Sequence, residues 1–105
     1  MSTDERQAAQ QRLNDLLTIL KGMPQKEQLA GLLEEAEALS RAIAAFHLEG
    51  IRFRIYNVDR RVAHPAVPLP PEAATIVADV RRHLEAAGFH TRSHAAPPTG
   101  APKTT

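Results

Sequence analysis

From Leu29 to Phe46 the apolar residues Leu29, Leu32, Ala36, Leu39, Ile43 and Phe46 follow at steps of three, four, three, four and three. On an α-helix such steps return to one face, so the segment predicts a helix with a continuous apolar seam, widened by Leu33. Glu34, Glu35, Glu37 and Arg41 occupy the other side, and Glu37 with Arg41 makes a supporting pair four residues apart. Leucine and alanine dominate the apolar content, aromatics are 4% and tryptophan is absent, which favours packed helices over an aromatic-rich sandwich.

A shorter seam precedes it. Ala9, Leu13, Leu16 and Leu20 recur at steps of four, three and four, with Leu17 beside them. Ser2 followed three residues later by Glu5 has the spacing of a capping box, and Gly22-Met23-Pro24 ends one helix and opens the next. Two helices with so short a connection predict an antiparallel hairpin over residues 2–48, with Gly50 as its stop.

Beyond Gly50 the pattern changes. In IRFRIYNV, residues 51–58, Ile51, Phe53 and Ile55 alternate with Arg52, Arg54 and Tyr56, and the composition is β-favouring. This predicts a half-buried strand. Pro65, Pro68, Pro70 and Pro71 then make an extended crossover. A third helix is expected over 71–87 on the stripe Ala73, Ile76, Val77, Val80, Leu84 and Ala87, capped by Gly88. FHTRSH, residues 89–94, reads as a short second strand, and residues 95–105 as a disordered tail. The expected fold is α+β in the order α-α-β-α-β: one domain over 1–94, with a small β-α-β unit at 51–94. Two strands alone are marginal and the second helix has apolar surface to spare, so a homodimer is expected.

Charge divides the chain unevenly. Residues 1–49 hold five Lys/Arg against eight Asp/Glu, and residues 50–94 hold seven against four. Arg52, Arg54, Arg60, Arg61, Arg81 and Arg82, with Tyr56, are therefore candidates for binding nucleic-acid phosphates. The competing reading is a solvated strand face, or pairing with the acidic helices of the same protein or a partner subunit. No helix-turn-helix, zinc-finger or RNA-recognition signature accompanies them.

Other chemistry finds little support. Without cysteine there is no disulfide or thiolate site. His83, His90 and His94 are the weak metal candidates, but on a strand residues 90 and 94 stand about 13 Å apart, too far for one ion, so no metal and no cofactor is expected. No serine lies in a nucleophile elbow, no glycine-rich phosphate loop is present, and no enzyme is expected. No apolar run reaches a membrane span, and the polar N-terminus is unlike a signal peptide; the expected compartment is the cytoplasm. The expected function is that of a small, self-associating assembly or adaptor protein without catalysis. Leu32, Leu39, Ile43, Phe46, Phe53 and Ile55 are its expected interface, with itself or another protein as partner; nucleic-acid binding through the arginine face is the alternative.

Overall fold

Four helices, each with apolar residues at helical spacing, make up the computed structural model, which describes residues 2–24 and 26–89. They are α1 (Ser2–Lys21), α2 (Lys26–Ala44), α3 (Leu48–Ala63) and α4 (Glu72–Ala86). Helix α1 lies against α2 and α4, and α3 closes the ring against the same two. Glu5 meets His83 while Arg12 meets Asp79, and Arg6 reaches Ile43 while Gln10 reaches Ser40, so these neighbours run antiparallel. The arrangement is an up-and-down four-helix bundle. Its first two helices form a pair compatible with the expected hairpin.

The α+β expectation is overturned: among the described residues there is no strand and no sheet. The segment expected as a strand, residues 51–58, lies inside α3. Its buried residues are Ile51, Ile55, Val58 and Val62, at steps of four, three and four. The apparent alternation arose because Ile51 and Ile55 satisfy both periods, while Phe53, counted with them, is 40% exposed. Intrinsic β-preference of Ile, Phe, Tyr and Val is worth only about 1 kcal/mol across its whole scale, and four buried aliphatic side chains outweigh it. Gly50 is no stop either. His47 caps α3, its Nδ1 accepting from the Gly50 N–H at 2.9 Å, so Gly50 belongs to the first turn. Residues 90–94, expected to complete the second strand, lie outside the described residues, as does the tail; Phe89 packs partly against the core just past α4.

The core is wholly aliphatic. Leu13, Leu16 and Leu20 of α1, Leu39 and Ile43 of α2, Ile51, Ile55 and Val58 of α3, and Ile76, Val80 and Leu84 of α4 are fully buried. The surplus of the α2 seam is covered by α3 of the same chain.

Two helices end in the same way, at one end of the bundle. After α4, the Phe89 N–H donates to Leu84 O and the Gly88 N–H to Glu85 O, with Gly88 at φ 98°. After α2, the His47 N–H donates to Ala42 O and the Phe46 N–H to Ile43 O. Both are Schellman caps. The second, however, puts Phe46 at φ 56°, in the left-handed position that glycine ordinarily fills. A side chain there costs roughly 1–2 kcal/mol of backbone strain.

Candidate functional site

Three of the arginines, Arg12, Arg54 and Arg81, cross-brace neighbouring helices. Arg54 Nη1 donates to both carboxylate oxygens of Glu35, at 3.0 and 3.2 Å, and the Asn57 amide adds a third bond to Glu35, locking α3 to α2. Arg81 donates to Asp59 at 3.0 Å and ties α4 to α3. Lys21 stands 3.6 Å from Glu37 across the α1–α2 seam. Asp79 of α4 receives Arg12 from α1 at 2.9 Å and Arg82 from its own helix at 2.8 Å. Hydrogen bonds from Arg12 and Arg82 hold the Asp79 carboxyl below the usual carboxylate range, against partial burial that pushes the other way. The bonds to Asp15 and Asp79 raise Arg12 in turn. Arg52 pairs locally with Glu49 at 3.4 Å. Each of the four helix seams thus carries at least one ion pair.

Four described arginines, Arg6, Arg41, Arg60 and Arg61, have no carboxylate partner among the described residues, and of these Arg60 and Arg61 are neighbours on α3. With Asn57 and His64 they line a cleft of about 370 Å³ on the C-terminal half of α3. A smaller recess of about 130 Å³ adjoins it, sharing Arg61 and His64 and bounded by Gln28, Leu29, Leu32, Pro65 and Ala66. The Arg61 guanidinium fits here because α2 lacks a side chain at Gly31. A β-carbon at that position would stand 2.6 Å from Nη1 and 3.1 Å from Cζ of Arg61. Nothing in the periodicity of α2 singles out Gly31; the long-range contact gives it meaning.

A second feature concerns the aromatics. The chain has three phenylalanines and one tyrosine, and none is among the buried core residues. Phe46 is 60% exposed and Leu48 43%. Arginines lie over three of the four rings: Arg6 over Phe46 at 4.1 Å, Arg54 over Phe53 at 5.1 Å and Arg60 over Tyr56 at 5.9 Å. Phe46 also meets Phe89, with ring centroids 6.2 Å apart. An apolar, aromatic end of the bundle, with Phe46, Leu48 and Phe89, therefore stands opposite a cationic end with Arg61 and His64.

Of the residues expected at an interface, Leu32, Leu39, Ile43 and Ile55 are buried in the core of the single chain, while Phe46 and Phe53 are exposed. Of those expected on nucleic acid, Arg52, Arg54, Arg81 and Arg82 are paired with carboxylates, leaving Tyr56, Arg60 and Arg61 together on α3. Among the metal candidates, His83 Nδ1 is 2.7 Å from Glu5, and His90 and His94 lie outside the described residues. Among the described residues no three His, Asp or Glu side chains are placed to share an ion. No helix among them is long and apolar enough to cross a membrane. Compared with known protein families, characterised proteins and solved structures, the chain matches none.

Proposed function

We propose that this chain is a non-catalytic helical module that works through protein contacts, self-association included, using the exposed rings of Phe46 and Phe53 with Leu48. The observation that carries this reading is the placement of the aromatics. A folded chain ordinarily buries such rings, each of which can bury 150–250 Å². Here the core is closed by Leu, Ile, Val and Ala while every aromatic is left at the periphery. Phenylalanine and arginine are both enriched in protein interfaces relative to the rest of the surface. Phe46 supports the same reading, since glycine at that position would relieve backbone strain that the phenyl ring keeps.

Sedimentation equilibrium over the micromolar range tests it. The expected result is a dimer that the pair Phe46→Ser and Phe53→Ser converts to monomer with helix content unchanged. A monomer throughout would overturn self-association, and a dimer indifferent to both substitutions would overturn the assigned surface.

A second reading, nucleic-acid binding, is favoured by Arg60 and Arg61 on a cleft whose lining holds no carboxylate, with Arg60 over the Tyr56 ring. Anisotropy of labelled DNA and RNA at about 50 and 200 mM salt separates the two, because phosphate contacts lose affinity steeply over that range.

A further inference from the structure

We propose that the cleft between the C-terminal half of α3 and the N-terminal half of α2 binds a phosphate monoester. Asn57, Arg60, Arg61 and His64 hold the phosphoryl oxygens, and the adjoining recess beside Leu29, Leu32 and Pro65 receives the organic group. This site lies toward the opposite end of the bundle from Phe46 and Phe89 and does not rest on the protein-contact reading.

Three observations converge. The cleft is lined by two guanidinium forks, one imidazole and the Asn57 amide, which gives one N–H to Glu35 and keeps its second, with no carboxylate among the lining residues. Those are more hydrogen-bond donors than a carboxylate, with two oxygens, can satisfy, whereas a phosphate monoester brings three terminal oxygens and a charge of roughly −1.5 to −2. Five arginines pair with acids of the chain at 2.8 to 3.4 Å, and Arg6 is held by Ile43 O and the Phe46 ring. Among the described residues Arg60 and Arg61, like the exposed Arg41, have no carboxylate partner, and Arg60 and Arg61 stand side by side on one cleft. The third observation is Gly31. Glycine in a helix interior costs about 1 kcal/mol relative to alanine, and here the missing methyl is what seats the Arg61 guanidinium beside α2.

Electrostatics of the backbone do not oppose the site. The C-terminus of α3 contributes roughly −0.5 of an elementary charge, but the first turns of α2, represented in the recess by Gln28 and Leu29, contribute about +0.5 in return. The two guanidinium charges then decide the sign. Volume speaks to the rest of the ligand: about 370 Å³ exceeds what a bare phosphoryl group fills, and the recess of about 130 Å³ sets Leu29, Leu32, Pro65 and Ala66 beside Arg61 and His64.

The test is titration of the ¹⁵N-labelled full chain with inorganic phosphate, phenyl phosphate, benzoate and a short phosphotyrosyl peptide, followed by two-dimensional NMR. Saturable shifts confined to residues 28–32 and 57–66 are expected, with phenyl phosphate stronger than inorganic phosphate and benzoate weakest. A peptide that binds well above phenyl phosphate would place the monoester on a protein, and equal affinities would place it on a small molecule; both support the site. Arg61→Gln should weaken phenyl phosphate binding about tenfold or more, the loss expected for a charged hydrogen bond. Arg41→Ala, which removes an exposed positive charge from the last turn of α2, at the other end of that helix from the cleft, should leave it unchanged. Gly31→Ala, which alters no charge, should weaken binding several-fold by displacing Arg61. Shifts spread over all arginines, binding indifferent to Arg61→Gln, or an oligonucleotide that outcompetes phenyl phosphate at equal phosphate concentration would each overturn the assignment.

Discussion

Replacing Gly31 by alanine adds one methyl group in the middle of α2, and the structure assigns the consequence a sign. Alanine is favoured over glycine by 0.8–1.0 kcal/mol in a helix interior, roughly, because it restricts the unfolded chain. Against that stands the close approach to Arg61: all three of the nearest heavy atoms to the new β-carbon, at 2.6, 3.1 and 3.5 Å, belong to that one guanidinium. Arg61 is exposed and has no carboxylate to lose, so its far end can swing away into water at small cost. The net effect is a stabilisation of about 0.5–1 kcal/mol, which corresponds to a rise in Tm of roughly 2–8 °C for a domain of this size. Thermal and urea unfolding followed by far-UV circular dichroism would measure it, with an unchanged urea slope. Repeating the substitution in an Arg61→Ala background isolates the cost of moving the guanidinium, because there the full helix gain should appear. A lower Tm for Gly31→Ala, persisting when Arg61 is alanine, would refute the reasoning, since a clash with the backbone or core would then be responsible.

Other consequences follow from the same packing. Ile55→Ala should cost about 2–5 kcal/mol in urea unfolding, whereas Phe53→Ala, two residues away, should stay within about 1 kcal/mol; comparable losses at both would restore the alternating reading of the segment. Asp79 has a folded-state pKa below its unfolded value, so it contributes stability above the ordinary carboxylate value of about 3.9 and loses it as pH falls through the lower, folded value. Asp79→Asn should therefore flatten the acid limb of a stability–pH curve while leaving its shape near neutrality alone. Glu35→Gln weakens the bonds from Arg54 and Asn57 at a side chain only 17% exposed, and should lower stability by about 0.5–1.5 kcal/mol, with the loss reduced in high salt.

Helices α1, α2 and α4 were legible because each repeats a single period for long enough to exclude the alternative: Leu29 to Ile43 on α2, Ala73 to Leu84 on α4. The third helix was not. In its eight-residue window Ile51 and Ile55 fit both periods, Phe53 fits only the alternation and Val58 only the helix, and the residue that extends the helical series, Val62, lies beyond the polar run Asp59-Arg60-Arg61. Gly50 compounded the error, since a glycine after a long helix reads as a terminator unless one knows that the His47 ring accepts its N–H. The pairing of arginines with acids was legible only as an option, because Arg12 and Asp79 stand 67 residues apart and nothing local links them. The cleft escaped for the same reason. It is assembled from two helices, and its most telling component is a missing side chain.

The ion pairs that close the four seams bear on how the chain chooses its topology. A core of Leu, Ile, Val and Ala is tolerant: aliphatic side chains of similar volume pack acceptably whether successive helices are placed clockwise or anticlockwise around the axis. Charges are less forgiving, because the opposite winding would carry Arg54, Asp59 and Asp79 to other neighbours and separate pairs now within 3.0 Å. Individually such exposed pairs add little to stability. Their collective effect is to favour the winding in which Arg54, Asp59 and Asp79 keep these partners, so that the surface charges help to set the handedness of the bundle.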